Sequence, residues 1–531
     1  MAICITLVLD RCHLRLSLGT TCTSLQQASL EWFPDVTAHS QPWEDTMPAI
    51  EAWLKRYQTC LYVTAIDADS SKGLQPRVAS ITALPATLVT WLTVYTYSVL
   101  PAEVSTLTAL DWLNLRGPCT DVHQQISAQL LQPLIKLRVL CMRRTDLACG
   151  QQLLSLPALR GLQAWEMDCG VLQRLTPGTL AQLTGLTLFR SRIISTAPLA
   201  ALQRVGHMSL CSCSLRAVPE ELSALTALAW LDLSDNRQLV GGWQHLAPLI
   251  RLRRLELFGC RLGAERQQAL GLPALTYLGL SYNGLVALPQ QLSALTALVS
   301  LDLAGNSELD GGWQPLQSLT QLRDLELFQC SLTAVPEQLS ALTALTCLNL
   351  SGHSRLAGGW QHMLLLQDLN LSNCNITAFP EQLSVLTALT SLQLTGNISI
   401  YGGWQHLARL PQLCTLHLEA CDFTAMPRLL AMPALTRLNL SGNTQLDGGW
   451  QHLAPLISLQ CLDLSNCGLT AMPQQVSALK ALTSLNLSYN RLTSGWQHLL
   501  PLTQLQYLDV DRNSVPSNQM PGLPNLHIRR Y

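Results

Sequence analysis

LAWLDLSDNRQLVGGWQHLAPLIRLRRLELFGC, residues 228–260, holds the pattern that decides the fold. Leu228, Leu231, Leu233 and Asn236 stand at the spacing L-x-x-L-x-L-x-x-N, and the frame returns at Leu252, Leu255, Leu257 and Cys260. Toward the C-terminus it recurs as far as Leu505, Leu508, Val510 and Asn513, thirteen consecutive units in all. The third apolar position falls at 233, 257, 280, 303, 327, 350, 371, 394, 418, 440, 464, 487 and 510, so the step stays between 21 and 24 residues and insertions are nearly absent. Toward the N-terminus, weaker units place the same position at Val94, Leu115, Met142, Ala164, Leu188 and Leu210. Self-similarity at such a period is the signature of a repeat architecture, here of about nineteen units.

Within a unit the L-x-L alternation has the period of a strand, so both leucines enter a core while the residue between them faces solvent. Stacked units then form a parallel sheet on one face. The stretch that follows comes in two kinds, LTAVPEQLSAL at 332–342 and LVGGWQHLAPL at 239–249, which alternate to make a longer repeat near 46 residues. Pro336 suits the first turn of a short helix, and Glu337 beside it suits the positive end of the helix dipole. The opposite face is therefore expected to carry short helices or turns.

These spacings resemble the leucine-rich-repeat family, and the L-x-x-L-P-x-x-L-x-x-L form is similar to its intracellular group of about 23 residues per repeat. The resemblance covers roughly residues 85–531. It implies an α/β leucine-rich-repeat solenoid, a curved horseshoe with the parallel sheet on its concave face and short helices or turns on its convex face. For function it implies only a class, because that architecture serves scaffolds, receptors, ubiquitin-ligase adaptors and GTPase regulators alike. Two departures stand out: His353 occupies an asparagine position, and the step from 350 to 371 is short by about three residues, which leaves the regular convex segment near Met363 in question.

The organisation expected is a divergent N-terminal cap or weakly structured start at 1–83, a solenoid at 84–513, and a C-terminal short strand or cap at 514–531. Leu523, Leu526 and Ile528 read as one more strand, whose open edge Arg529 and Arg530 would blunt. Terminal repeats cannot bury both faces, so caps are needed. The composition, 48% hydrophobic but 13% charged and 5% aromatic, puts the core on aliphatic side chains. A net charge of −1 lacks the basic excess that draws a chain to phosphate, so no nucleic acid partner is expected. The opening apolar run Ala2 to Leu9 has no basic residue before it and ends at Asp10, unlike a secretory signal, and no segment has the length of a membrane span. An intracellular, cytoplasmic setting is expected, with cytoskeletal association open and secretion the alternative.

Of 18 cysteines, Cys213, Cys260, Cys330, Cys374, Cys421 and Cys467 fall on the asparagine position, where a small buried thiol can stand in for a hydrogen-bonding amide. Cys374, Cys421 and Cys467 lie two repeats apart, about 10 Å, too far for disulfides. The same spacing keeps the GWQH histidines, His245, His362, His406, His452 and His498, from sharing a metal ion. The tryptophans beside them, Trp243, Trp313, Trp360, Trp404, Trp450 and Trp496, are read as packing residues, with an exposed partner-binding stripe as the alternative. The glycines before them, paired at all but Trp496, suit a positive-φ turn. No P-loop, G-x-S-x-G, kinase set or H-E-x-x-H is present, so neither catalytic residue, metal nor cofactor is assigned. The residues around Trp32, Pro34 and Trp53 do not form an F-box pattern. Asn-x-Ser/Thr occurs at Asn349, Asn370, Asn375, Asn397, Asn439 and Asn486, mostly as a by-product of the repeated L-N-L-S.

The binding surface is expected on the solvent-facing strand positions. Asp232, Glu256, Asp302, Asp324, Glu326, Asp368, Glu419, Asp463, Asp509 and Asp511 stand there against Arg254 and Arg437, ten acids to two arginines. Phe258 and Phe328 add apolar contact to that stripe. The upstream units present Trp91, Tyr95, Trp112, Arg116, Arg143, Trp165 and Phe189 instead, side chains favoured as interface anchors. The function read from these features is a non-enzymatic scaffold or adaptor for a protein or peptide, a basic segment being the suitable one. An extracellular or membrane-linked recognition module, and a regulator or adaptor of an enzyme such as a ubiquitin ligase or GTPase, are the alternatives.

Overall fold

The computed structural model describes residues 4–10, 13–18 and 60–66, and then 86–529 apart from 88, 96–99, 101, 118–123, 148–152, 168–169, 264–270, 430–431 and 514–525. The chain falls into two compact units, Met1–Cys260 and Arg261–Tyr531. The positions Trp32, Pro34 and Trp53 lie outside the described residues.

In the first unit, strands Cys4–Asp10, Cys60–Ile66, Val89–Tyr95, Trp112–Arg116, Val139–Arg143, Gly161–Trp165, Gly185–Phe189, His207–Cys211, Trp230–Asp232 and Arg254–Glu256 pair in parallel in chain order. His13–Leu18 turns back antiparallel on the first of them. The weak upstream frame holds, because Val94, Leu115, Met142, Ala164, Leu188 and Leu210 all lie in the core. In the second unit, parallel strands run from Tyr277–Gly279 through Asp324–Glu326, Asp368–Asn370 and Cys461–Asp463 to Tyr507–Asp509 and His527–Arg529. Both leucines of each L-x-L are buried, and each such side chain contributes roughly 2 kcal/mol relative to exposure.

Behind the sheets the connections are mostly 3-10 helices, and the sequence says why. In LSALTAL the apolar residues recur every third position, and Leu222, Leu225 and Leu228 are all buried. A turn of three residues puts such side chains on one line, which the 3.6-residue α-helix does not. The proline is the cap and not the first helical residue: Pro336, with ψ 134°, precedes the helix Glu337–Ala341. The short step from 350 to 371 is explained in the same terms. Trp360, Met363 and Leu366 are buried at spacing three and lead straight to Leu369, so one turn of the usual Trp243, Leu246, Leu249, Leu252 series is missing. Leu364 and Leu365 are left exposed.

From Cys374 to Asn490 the buried ladder beyond each strand alternates between two strengths. Asn397 donates from Nδ2 to the carbonyls of Leu371 (2.9 Å) and Leu394 (2.7 Å), and its Oδ1 accepts the N–H of Cys374 (3.1 Å) and Ile376 (3.0 Å). Asn443 holds Cys421 and Phe423 in the same way, and Asn490 holds Cys467 and Leu469. A ladder cysteine reaches back with one thiol: Cys374 Sγ donates to Leu350 O at 3.1 Å, and Cys421 Sγ to Leu394 O at 3.3 Å. All six ladder cysteines are buried free thiols.

A second clamp joins the same pairs of repeats on the far side. The N–H of Phe379 donates to Gly402 O at 2.9 Å and that of Met426 to Gly448 O at 2.8 Å. The following glycine carries the constraint: Gly403 has φ +79°, and a Cβ there would stand 2.2 Å from Phe379 O. Gly402 has no heavy atom within 4 Å of its would-be Cβ, so only the second glycine of the pair needs to be one. The Trp that follows is buried at Trp243, Trp313, Trp360, Trp404 and Trp496, and half-buried at Trp450, which makes packing its role.

Candidate functional site

Strand register places the solvent-facing side chains of each sheet in rows. In the second unit the first row holds Ser300, Asp324, Cys347 and Asp368, and the second holds Asp302, Glu326, Asn349 and Asn370. Asp302 and Glu326 are direct neighbours across two strands, with Asp324 two positions from Glu326 on its own strand. Burial pushes the Glu326 carboxyl above its ordinary value; the Asn349 side chain opposes that, and the charges of Asp302 and Asp324 add to it. Cys347 sits between Asp324 and Asp368, its thiol pushed up to about 11 by burial and by Asp324. Among the described residues, no lysine or arginine forms an ion pair with Asp302, Asp324, Glu326 or Asp368. Half-buried Phe328 borders this group two residues beyond Glu326.

The remaining acids are differently placed, so the stripe expected from the sequence is broken. Glu256 is paired with Arg254 at 2.6 Å. Asp232 accepts from Ser209 Oγ at 2.7 Å, and Asp463 from Asn486 Nδ2 at 2.8 Å. Glu419 binds His417 Nδ1 at 2.8 Å and accepts from Thr395 and Asn439. Asp509 and Asp511 are not solvent-facing: they are 6% and 8% exposed, and Arg529 on the neighbouring strand His527–Arg529 lies 3.7 Å from the Asp509 carboxylate. Counting charges along the strands could not register what the last strand covers.

The second row also has a structural task. Oδ1 of Asp232, Asp302 and Asp463 accepts the backbone N–H two residues on, at 2.8–2.9 Å. Asn349, Asn370, Asn439 and Asn486 do the same at 2.9–3.0 Å. Aspartate and asparagine are interchangeable for that bond, which explains why both recur there.

In the first unit the rows differ. Trp91 and Trp112 are neighbours in the first row, ring centroids 4.2 Å apart and tilted by 57°. Arg116, Arg143, Trp165 and Phe189 are successive members of the third. Between these flanks run Thr93, Asn114, Cys141 and Gln163, the first three buried and none charged. Burial pushes the Cys141 thiol up to about 12, with Arg116 opposing. Phe258, 38% exposed, closes the third row beyond Glu256. The sequence reading singled out the two flanks and Phe258, but neither the middle row nor Arg144, Glu166 and Arg190 beside it. Glu166 is held by Arg143 at 3.2 Å and by Arg144, and Arg190 lies over the Phe189 ring at 5.2 Å. Nor did it single out His417, whose partner Glu419 lies two positions away on the outward side. Among the described residues no group of three or more His, Cys, Asp and Glu could hold a metal ion, and no helix is long and apolar enough to cross a membrane.

Family models described as leucine-rich repeat match residues 457–515 and 365–386. No curated protein sequence matches the chain. Among solved structures, a leucine-rich-repeat protein of Leptospira interrogans is 22% identical, over 86% of this chain and 99% of its own, with a TM-score of 0.47. TLR13, in a complex with ssRNA13, is 20% identical over 88% of this chain and 76% of its own, with a TM-score of 0.59, a likeness of fold. With the matched segments, the asparagine ladder and the stacked L-x-L strands in agreement, the chain is a leucine-rich-repeat protein.

Proposed function

We propose that the protein is a non-enzymatic binding scaffold whose exposed strand rows hold a protein or peptide, and that the second unit takes a basic segment. The observation that carries the reading is the group Asp302, Asp324 and Glu326 on two adjacent strands, with Asp368 in the same row as Asp324 beyond Cys347, and no ion-pairing cation among the described residues. Crowded carboxylates repel one another, and a lysine or arginine laid across them would relieve that repulsion. Single exposed ion pairs are worth about 0–1 kcal/mol, so binding is expected to depend on the group and to weaken with salt.

The test uses amides, which keep the backbone bond that Asp302 makes. Partners recovered by proximity labelling of the native protein are expected to lose affinity for a quadruple Asp302→Asn, Asp324→Asn, Glu326→Gln, Asp368→Asn variant, and to lose it with added salt. Unchanged affinity at low and physiological salt would remove this surface from the reading. We further propose an intracellular setting. Asn397 is fully buried and Asn375 is exposed, so a secreted form would carry its glycan at Asn375, and mass spectrometry of the native protein distinguishes the two.

A further inference from the structure

We infer that a recess in the second unit, where its last strands turn into the connecting segments, binds a phosphorylated segment of a partner protein. This rests on the scaffold reading, but on a site away from the acidic strand rows and with the opposite charge preference. The recess has a volume of about 630 Å³. Thr444, Gln445 and Asn466 line it from the repeats before Asn490, and Tyr489, Arg491 and Arg512 from that repeat and the next. Its floor is Gly468, which has φ +72°, and a Cβ there would stand 2.2 Å from Thr444 O. No side chain therefore rises between Thr444 and Arg491, which hold the same position in the repeats on either side. Asn466, Tyr489 and Arg512 stand in the left-handed turn before the ladder residue, at φ 51°, 56° and 57°, a place that glycine fills at Gly396 and Gly442. A β-carbon is disfavoured in that turn, and burial does not offset the cost, since Tyr489 is 60% exposed.

Among the described residues neither the Arg491 nor the Arg512 guanidinium meets a carboxylate. The acids nearest in sequence, Asp447 and Asp511, do not line the recess, and Asp511 is buried. Residues 514–526, which follow, contain neither Asp nor Glu. A phosphomonoester carries about −1.5 to −2 charges at pH 7 and three acceptor oxygens, which suits two guanidinium forks better than a single carboxylate does. The amides of Gln445 and Asn466 and the Thr444 hydroxyl can bond the backbone of a peptide on either side of the phosphate, and the Tyr489 ring offers apolar area to a flanking side chain. A single-stranded nucleic acid needs a run of rings on which successive bases stack, and Tyr489 is the one ring among the described residues that line the recess.

The probe is a peptide library with a central phosphoserine, phosphothreonine or phosphotyrosine and random flanks, panned on the full chain. Recovered peptides are then made with and without the phosphate and their affinities measured by fluorescence anisotropy. The phosphate is expected to strengthen binding by about tenfold or more, roughly 1.4 kcal/mol. That gain should vanish in Arg491→Gln, Arg512→Gln, which removes the charge, and in Thr444→Trp, which fills the recess and leaves the charge in place. Circular dichroism confirms the fold of both variants. The quadruple amide variant of the strand rows should bind these peptides undiminished, which separates failure here from failure of the acidic group. Recovery of no phosphorylated peptide, equal affinity without the phosphate, or binding indifferent to either change would each overturn the inference. Inorganic phosphate bound as tightly as the peptides, or their displacement by a random-sequence single-stranded RNA, would overturn it as well.

Discussion

His353 accepts the backbone N–H of Cys330 at 3.2 Å through Nε2, in the place where Asn397 grips Cys374, while its Nδ1 bonds to Leu350 O at 2.7 Å. An imidazole has one acceptor nitrogen, and it accepts only while neutral. Burial pushes the pKa of His353 below the usual histidine value, which the bonds to backbone carbonyls partly oppose. A depressed folded value means that the bond's stability is present above about pH 6.5 and lost as pH falls through the folded pKa. Amide exchange at Cys330, corrected for intrinsic rate, should quicken from pH 7 to pH 5, and His353→Asn should abolish the effect while adding about 1 kcal/mol of stability. His417 has the opposite sign. Its hydrogen bond to Glu419 raises its pKa against burial, so that contribution is present below about pH 6.5 and lost as pH rises through the folded value. Proton NMR titration of the two rings should find them on opposite sides of the ordinary histidine value; a shared value would contradict the ladder role of His353.

The two glycines before Trp243, Trp313, Trp360, Trp404 and Trp450 should separate under mutation. Gly403→Ala forces a β-carbon into Phe379 O at a left-handed φ and should cost roughly 2 kcal/mol or more, whereas Gly402→Ala should stay within about 0.5 kcal/mol. Ser494 already stands at the first position ahead of Gly495. Urea denaturation of the two variants decides it, and equal costs would rule out the close approach.

Ladder thiols and face thiols should react in different orders. Burial pushes Cys260, Cys330 and Cys467 up to about 12, with little thiolate for alkylation, while Cys461 is half-buried on a strand face and Cys414 half-buried just ahead of a strand. Iodoacetamide on the native protein should label Cys414 and Cys461 before the ladder cysteines. Denatured without reductant, the protein should also label at Cys374, Cys421 and Cys467, and bridges among these three would refute the register.

Asp302 tests whether a strand-face acid serves binding or structure. Asp302→Asn keeps the acceptor for Ala304 N–H and should change stability by less than about 0.5 kcal/mol, whereas Asp302→Ala should cost about 1 kcal/mol. If the amide proved as costly as alanine, the carboxylate charge itself would be structural.

The strands were legible in the sequence because a two-residue alternation leaves each leucine one face to occupy, so even Ala164 and Met142 fell into place. The 3-10 helices were legible too, in the three-residue spacing of LSALTAL, but only once that spacing is distinguished from the α-helical one. What the pattern does not carry is which outward charges are spent on neighbours. Glu256 against Arg254 depends on side-chain reach along one strand. The last strand was read from Leu523, Leu526 and Ile528, but the reach of Arg529 from it to Asp509 was not.

The paired clamps also bear on how such a chain could lengthen. Asn397 and Gly403 both grip the repeat of Cys374, whereas the repeat of Cys421 returns to that of Asn397 through a thiol. Duplication of a DNA segment encoding both members of a pair inserts a block whose clamps are internally satisfied and whose ends meet the old neighbours as before. A duplication out of phase by one member sets two proline-type repeats side by side, with no left-handed glycine to receive the backbone of the first. Copy number would then grow by twos, and the reading frame of the protein's history would be the pair.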